Sequence, residues 1–304
     1  MMRDDTGGSA VKAPSRPDTF VSVGSSAHGL PGEASVDLRN ASASARNQYE
    51  HALRQLVMRA AERYRSSGRS PYYFARGKLG GDPVFAALLR DGRIRDGARI
   101  VDIGCGLGVL AAWLAAAETC DPGQATEWPQ AWAKPPKHWT MRGFDLRNDA
   151  VAAGQRALSD LGDRVSLNVG DARRITLPAC DAIVLLDVLH YMDRDEQQTL
   201  LKRTYEALDP CGVLLLRVGD ITTNSRSRFT LIVDWCVTML RDRRWPRLHC
   251  RTLGEWKLLL ESIGYSVSAQ PMSEGTLFAN VLLIASKHAD PDGRRDPFDR
   301  SHLR

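Results

Sequence analysis

Residues 98–110, with the sequence ARIVDIGCGLGVL, indicate the fold class and locate the candidate site. An apolar run typical of a buried strand ends in three alternate glycines, Gly104, Gly106 and Gly108, and an apolar helical pattern follows directly. Glycine at such positions lets the backbone turn sharply and lets a ligand approach without a Cβ in the way. The stretch therefore predicts a strand, a ligand-binding turn and a helix, in that order.

Two ligand classes use a turn of this kind. The dinucleotide pattern GxGxxG fails when it is read from Gly104, because Val109 occupies its last position, and its permissive form with alanine fits from Gly106 to Ala111. The other pattern, DxGxGxG with an acid inside the strand, is complete from Asp102 onward. This pattern resembles motif I of the class I S-adenosylmethionine-dependent methyltransferases. A NAD-dependent oxidoreductase, which would use the permissive dinucleotide pattern, stays open as an alternative.

Strand and helix patterns alternate along most of the chain. Apolar strand-like runs occupy residues 98–103, 139–145, 165–169, 182–187 and 213–218. Helical patterns occupy residues 109–118, 150–161, 195–208, 228–240 and 253–263. Two further strand-like runs, 265–270 and 280–286, are joined by a connection that contains Gly275 and predict an antiparallel hairpin. This alternation predicts an α/β fold with a Rossmann-like, doubly wound, mostly parallel seven-stranded sheet that ends in that hairpin.

The two ends of the chain and the stretch before the glycine turn have other patterns. Both ends are polar or rich in Gly, Ser, Ala and Pro, which predicts disorder. Apolar residues recur at spacings of three and four over residues 45–65, and Asp82 with Pro83 begins another helix that runs to Arg90. The predicted organisation is a disordered segment 1–42, a helical cap 43–92, a methyltransferase-like domain 93–287 with an insertion at 119–138, and a disordered tail 288–304.

The insertion contains four prolines together with Trp128 and Trp132. Loops of this length without structure of their own are uncommon and are often functional. The two indoles either cover a pocket or a partner surface, or they bury themselves on their own domain as part of an adherent loop.

The resemblance extends to the ends of the later strands, in the order of the family. It implies that Asp145, at the end of the second strand, holds the ribose hydroxyls, and that Asp171 with the amide of Ala172 contacts the adenine. Ahead of the glycine turn, Arg76 or Lys78 could pair with the methionine carboxylate, and a plain surface role is the alternative. The implied cofactor-binding residues are Asp102, Gly104, Cys105, Gly106, Gly108, Asp145, Leu146, Asp171, Ala172, Asp187 and Arg76.

The candidate catalytic residue is His190, which follows the fourth strand where the acceptor is expected to enter. Methyl transfer requires the acceptor atom and the methyl carbon to be held close together, and a base that removes the acceptor's proton accelerates it further. Histidine, with an ordinary pKa of about 6.5, suits that task; a role in which His190 only bonds the loop is the alternative. Asp187 is predicted to be cofactor-side or structural, and Arg217, Asp220 and Asn224 are weaker acceptor-side candidates.

The acceptor is predicted to be a small molecule. The stretch after the fourth strand, LDVLH at residues 186–190, lacks the Asn/Asp-Pro-Pro-aromatic run of enzymes that methylate base amines, and the double-glutamate loop of arginine methyltransferases is absent too. A nucleic-acid methyltransferase stays as the enzymatic alternative.

A narrower resemblance concerns residues 72–89, YYFARGKLGGDPVFAALL, and residues 271–285, PMSEGTLFANVLLIA. These stretches are similar to bacterial methyltransferases associated with aryl-polyene (xanthomonadin-type) pigments. That resemblance implies an aromatic or polyketide-derived acceptor that an acyl carrier protein could present. An arginine cluster around Trp245 could dock such an acidic carrier, and an ordinary solvated surface is the alternative; the cluster consists of Arg241, Arg243, Arg244 and Arg247.

The composition of the chain argues against nucleic-acid-binding, metal-binding, disulfide-rich, membrane and secreted proteins. The 304 residues include 41 basic and 36 acidic ones, a formal net charge of +5, and both signs are interleaved along the chain, which disfavours a nucleic-acid partner. The six cysteines form no CxxC pair, so we predict no metal site and no disulfide framework. No apolar run is long enough for a membrane span, and the first residues show no secretory pattern. The sequence therefore predicts a cytoplasmic enzyme.

Overall fold

The computed structural model describes residues 43–124, 127–129, 131–219, 249–272 and 280–287. The predicted disordered ends, the predicted helix 228–240 and the connection containing Gly275 lie outside the described residues, as do the arginine cluster around Trp245 and the candidates Asp220 and Asn224.

The described elements alternate between helices and strands after an initial run of helices. The helices are α1 Ala43–Glu62, α2 Arg69–Gly81, α3 Pro83–Arg90, α4 Val109–Glu118, α5 Asn148–Ala157, α6 Arg194–Ala207 and α7 Leu253–Ile263. Short 3-10 helices are Arg63–Ser67, Ser159–Arg164 and Leu189–Tyr191. The strands are β1 Arg99–Ile103, β2 Thr140–Asp145, β3 Val165–Val169, β4 Cys180–Leu186, β5 Leu208–Gly219, β6 Tyr265–Pro271 and β7 Asn280–Lys287.

The seven strands form one sheet in the order β3-β2-β1-β4-β5-β7-β6. The first five strands are parallel, and β7 pairs antiparallel with both β5 and β6. This confirms the predicted Rossmann-like, mostly parallel sheet with a C-terminal antiparallel hairpin. Because β2 and β4 flank β1 on opposite sides, the chain reverses its direction of winding beside the glycine turn, where open α/β sheets bind their ligands.

Successive residues of each strand face opposite layers. Ile100 packs in a core shared with α1 to α5, whereas Val101 packs in a core shared with α6 and α7. Alternation of this kind is what a sheet covered by helices on both faces requires.

Several element boundaries differ from the sequence prediction. The helix predicted over 150–161 ends at Ala157 and continues as the 3-10 helix Ser159–Arg164. The strand predicted over 182–187 stops at Leu186, because Asp187 has a φ of 60° and leaves the strand geometry. The strand predicted over 213–218 begins earlier, at Leu208, and contains a bulge, because Leu208 pairs with Cys180 and Val213 pairs with Ala182. The residues between Leu208 and Val213 are typical of turns, so the sequence did not indicate the earlier start.

Helix α2 lies within the predicted helical cap 43–92, but no helical pattern was assigned to its residues, since its four glycine or proline residues are poor helix formers. Three apolar side chains at helical spacing, Tyr72, Ala75 and Leu79, are buried on one face and stabilise it through packing.

The insertion adheres to its own domain. Trp128 and Trp132 are buried, their rings meet edge to face with centroids 5.3 Å apart, and the Trp128 indole donates to the carbonyl of Ala133. Trp132 also contacts Tyr49 of α1, at a centroid distance of 5.9 Å. Of the two interpretations, the structure therefore shows the adherent loop.

Candidate functional site

The glycine turn between β1 and α4 uses glycine at three left-handed positions. The φ angles are 80° at Gly104, 53° at Gly106 and 70° at Gly108. A Cβ at Gly108 would also lie 2.8 Å from a methyl group of Leu158 and of Leu167. Side chains are excluded here both by backbone strain and by space, so the turn exists only because the sequence places glycine at these positions.

The turn is bonded to the end of β2. The amides of Gly104 and Cys105 donate to the Phe144 carbonyl over 2.7 and 3.1 Å. The next residue, Asp145, accepts from the Gly106 amide through Oδ2 at 2.8 Å and from the Arg147 amide through Oδ1 at 2.9 Å. The acid for which the resemblance implies a ribose contact is therefore held directly against the turn.

Two apolar side chains beside Asp145 are exposed. Leu146 is 66% exposed and Val169, at the end of β3, is 52% exposed. Both side chains are open to solvent close to this acid, so a flat apolar ligand group could pack on them.

The end of β3 brings Asp171 to the same edge of the sheet. The Gly170 amide donates to the Asp145 carbonyl over 2.9 Å, which ties the two strand ends together. Asp171 accepts hydrogen bonds from the Arg173 guanidinium, and these bonds lower the pKa of that carboxyl. Its neighbour Ala172 is buried.

Asp102 is a buried acid below the turn. Asp102 lies in β1, where it pairs with Gly143 of the neighbouring strand β2, and the residue is 5% exposed. Burial raises the pKa of Asp102 to about 7, and the negative charge of Asp145 adds to the effect. Burial also raises the pKa of the Cys105 thiol, so this cysteine is an uncharged packing residue of the turn.

Four charged side chains from three parts of the chain meet at the carboxyl ends of β4 and β5. We call Lys78, Asp82, Asp187 and Arg217 the four-charge cluster. Arg217 is 3% exposed and donates to both carboxyl oxygens of Asp187 and to Oδ2 of Asp82. Lys78 Nζ lies 2.8 Å from the same Asp82 oxygen and 3.6 Å from Asp187.

The cluster is balanced, with two positive and two negative side chains. Burial alone would raise the pKa of Asp187, but the charges of Arg217 and Lys78 outweigh it and hold that pKa well below its usual range. The other oxygen of Asp82 accepts from the Val84 amide and caps α3, so the cluster also fixes the start of that helix.

His190 lies in the 3-10 helix Leu189–Tyr191, which directly follows the cluster residue Asp187 and Val188. Its ring stacks at a tilt on Tyr191 with centroids 4.1 Å apart. Burial lowers the pKa of His190, and the attraction of Asp187 does not offset burial and the nearby charge of Arg217. The imidazole is therefore neutral at pH 7 and able to accept a proton.

A buried glutamine fixes the loop that carries His190, and sequence reasoning did not find it. The Gln197 side chain, with no exposed area, donates to the carbonyls of Leu189 at 3.0 Å and His249 at 2.7 Å. The His249 amide in turn donates to the His190 carbonyl over 2.9 Å. A glutamine in the first turns of an ordinary helix carries no sequence signal for this role.

The structure brings most of the predicted residues together, with two differences. The glycine turn, Asp145 and Asp171 are joined by hydrogen bonds, and Asp187 belongs to the four-charge cluster. Arg76 is exposed on α2, while Lys78, the other basic candidate, pairs with Asp82. Arg217, a weak acceptor-side candidate, is enclosed by carboxylates.

The fold and this site together define the class of the domain, that of the class I S-adenosylmethionine-dependent methyltransferases. The chain belongs to the family described as methyltransferase domain, whose model matches residues 45–270. S-adenosylmethionine is the cofactor of that class.

Comparison with individual proteins gives more distant likenesses. The carboxy-S-adenosyl-L-methionine synthase of Chromohalobacter salexigens is 30% identical over 134 residues, 42% of this chain and 43% of that protein. The chain thus matches less than half the length of this curated relative. A chain in the complex between the Haloferax volcanii Trm112 methyltransferase activator and the putative methyltransferase is 16% identical, with a TM-score of 0.52 over 71% of this chain and 94% of that one. The mitomycin 7-O-methyltransferase MmcR is 22% identical, with a TM-score of 0.50 over 71% of this chain and 56% of that one. At these identities the two structures show a common fold.

The described residues form no helix that is long and apolar enough to cross a bilayer. They contain no group of three or more His, Cys, Asp or Glu side chains placed to hold a metal ion.

Proposed function

We propose that this protein transfers a methyl group from S-adenosylmethionine to a small-molecule acceptor with an ionisable hydroxyl, and that His190 removes the acceptor's proton. The observation that carries the proposal is the position of a neutral histidine two residues after Val188, whose side chain packs against the glycine turn. A Cβ at Gly104 would lie 2.2 Å from a methyl group of Val188. The short segment from Val188 to His190 therefore both contacts the glycine turn and carries the proposed base.

The cofactor-side residues fit the group chemically. Each carboxylate oxygen has two lone pairs, so Asp145 can accept ribose hydroxyls besides its bonds to the turn. Leu146 offers an exposed apolar side chain next to Asp145, and Asp171 offers an ionised acceptor for an adenine amino group. Arg76, exposed on α2, is the basic residue that we assign to the methionine carboxylate.

The bound cofactor supplies an electrophilic methyl group on a sulfonium. The chain's own residues supply position and proton transfer. The turn and Asp145 would hold the cofactor, and the segment that carries His190 packs against the turn, so an acceptor hydroxyl bound beside His190 would lie close to the cofactor. The neutral imidazole takes the hydroxyl proton as the oxygen becomes a nucleophile, and the Asp187 carboxylate stabilises the positive charge that the ring then carries.

We also propose a chemical class for the acceptor. The narrower resemblance supports an aromatic or polyketide-derived acceptor of the aryl-polyene kind, presented free or on an acyl carrier protein, in a bacterial cytoplasm. The formal net charge of +5 is compatible with an acidic carrier as partner.

The test follows the transferred methyl group. Purified protein is incubated with methyl-labelled S-adenosylmethionine and extract from cells that lack the gene, and solvent-soluble label is separated from macromolecular label. Label in the organic phase or on a small acidic protein is expected, and mass spectrometry then identifies the product. Label on RNA or on bulk protein would overturn the proposal. Protein that has been heat-inactivated serves as the control for chemical transfer.

A further inference from the structure

A buried tyrosine from the N-terminal helices reaches the glycine turn. Tyr64 lies in the 3-10 helix Arg63–Ser67, between α1 and α2, and has no exposed area. Its hydroxyl donates to the Leu107 carbonyl over 2.9 Å. Leu107 stands between Gly106 and Gly108, so the bond ends inside the turn itself.

The same carbonyl is approached from a second side by α5. A Cβ at Gly154 would lie 2.6 Å from the Leu107 oxygen, so the helix backbone packs directly on that peptide group. The Tyr64 hydroxyl therefore satisfies a carbonyl that helix packing closes off from one side. Burial raises the pKa of Tyr64, so the phenol keeps its proton and acts as a donor.

The 3-10 helix is also bonded to α5 and to the 3-10 helix Ser159–Arg164 that follows it. Arg63 donates to both carboxyl oxygens of Asp160 at 2.6 Å, and the Ser67 hydroxyl donates to the Ala153 carbonyl over 2.8 Å. Both bonds to Asp160 come from the same guanidinium nitrogen at the surface, so the partly buried contact of this segment with α5 is the bond from Ser67. Tyr64 thus projects from a segment whose position relative to α5 and the turn is fixed independently of its own hydrogen bond.

We propose that Tyr64 is a positioning residue of the cofactor site, because its hydroxyl fixes the orientation of the Leu107–Gly108 peptide and so the shape of the glycine turn. The proposal rests on the proposed function, since it takes the turn to be the S-adenosylmethionine site. Three left-handed glycines make the turn intrinsically adaptable. A fixed carbonyl in its middle removes that freedom before the ligand binds, and preorganisation of this kind increases affinity.

The test compares two tyrosines that each make one buried hydrogen bond. Tyr64→Phe deletes the bond to the turn. Tyr265→Phe is the matched control, because the buried Tyr265 hydroxyl pairs with Thr204 at 3.0 Å in the opposite core. Binding of S-adenosylhomocysteine is measured by isothermal titration calorimetry, with the Tm of each variant recorded alongside.

Tyr64→Phe is expected to weaken S-adenosylhomocysteine binding about three- to ten-fold, whereas Tyr265→Phe leaves the affinity unchanged at a comparable loss of Tm. In the ligand-free protein, amide hydrogen exchange over residues 104–109 is expected to accelerate in Tyr64→Phe alone. Equal affinity and equal exchange in the two variants would show Tyr64 to be a packing residue only and overturn the inference. Failure of the unaltered protein to bind S-adenosylhomocysteine would instead overturn the proposed function, and the inference with it.

Discussion

His190 is the residue on which the proposed chemistry depends, and its environment fixes the expected pH dependence. A base must be unprotonated to act, and burial holds the pKa of His190 below its ordinary value of 6.5. The rate of methyl transfer is therefore expected to be flat from neutral pH upward and to fall as the pH drops through the lowered pKa of His190. His190→Gln is expected to reduce the rate by roughly 10²–10⁴ while S-adenosylhomocysteine binding stays as it was.

The rate is measured as organic-phase label in the extract assay, at a series of pH values. His51→Gln is the control, because His51 is exposed on α1. A rate that survives His190→Gln would assign the proton transfer to another group and leave His190 as a loop residue.

The buried acid Asp102 is expected to make the stability of the protein depend on pH. Its pKa is raised from 3.8 to about 7 in the fold, so between these pH values the folded chain holds a proton that the unfolded chain has released. Stability then decreases as the pH rises through that window, by the linkage of proton binding to folding. Asp102→Asn removes the titrating group, and we expect it to raise the free energy of unfolding by roughly 2–4 kcal/mol at pH 8 and by little near pH 4.

Urea denaturation at both pH values measures the difference. A gain of stability that is the same at pH 4 and pH 8 would show that the effect is not electrostatic. If Asp102→Asn stabilises the protein mainly at pH 8, the native sequence keeps a destabilising acid next to the cofactor turn. Such a conflict between stability and function is common at functional sites.

At the scale of elements, α5 and the glycine turn fit together without side chains between them. Alanine is normally preferred over glycine inside a helix, yet a Cβ at Gly154 would lie 2.6 Å from the Leu107 oxygen and 2.7 Å from a methyl group of Leu167. Gly154→Ala is therefore expected to destabilise the protein by about 1–3 kcal/mol and to weaken S-adenosylhomocysteine binding.

Gly254→Ala in α7 is the matched control, because nothing lies within 4 Å of its Cβ position. It should be neutral or stabilising by up to about 1 kcal/mol, as expected for an unobstructed helix position. Chemical denaturation and calorimetry on both variants decide the point. A stable, ligand-binding Gly154→Ala protein would mean that α5 shifts freely against the turn.

The elements that could be predicted from sequence are those whose evidence is local. The strand, three glycines and helix of residues 98–118 follow one another directly, and Asp145 and Asp171 immediately follow apolar runs, so the cofactor half of the site was visible in the pattern. Helix α2 was not, because packing of Tyr72, Ala75 and Leu79 overrides its poor propensity.

Contacts between residues that are distant along the chain could not be predicted from the sequence either. Arg217 and Asp82 are separated by 135 residues and Tyr64 and Leu107 by 43, and no spacing rule connects them. These partners are selected by the assembled fold, since only the crossing of the N-terminal helices over the sheet brings them together.

At the scale of the whole molecule, the four-charge cluster connects the N-terminal helices to the loop that carries His190. Arg217 of β5 donates hydrogen bonds to carboxylates from two parts of the chain, Asp82 at the start of α3 and Asp187 after β4. Arg217→Met fills similar space but leaves two partly buried carboxylates, Asp82 and Asp187, paired only with Lys78. Because a buried charge that loses its partner is costly, the variant is expected to lose about 3–5 kcal/mol of stability.

Arg95→Met provides the matched comparison. Arg95 also pairs with a buried carboxylate, Asp181, but its own side chain is 58% exposed and Asp181 keeps the amide of Arg99 at 2.8 Å and its guanidinium at 3.0 Å. Loss of such an exposed partner is expected to cost about 0–1 kcal/mol.

The same pair of variants tests whether the cluster acts on the acceptor side. The charge of Arg217 contributes to the lowered pKa of His190 and that of Asp187 opposes it, so removal of Arg217 is expected to raise that pKa. The titration of His190 is followed by NMR on histidine-labelled protein, with the His190→Gln spectrum to assign its signal. A raised pKa in Arg217→Met and an unchanged one in Arg95→Met would link the position of the N-terminal helices to the protonation of the proposed base. An unchanged pKa in both variants would confine the cluster to holding the fold together.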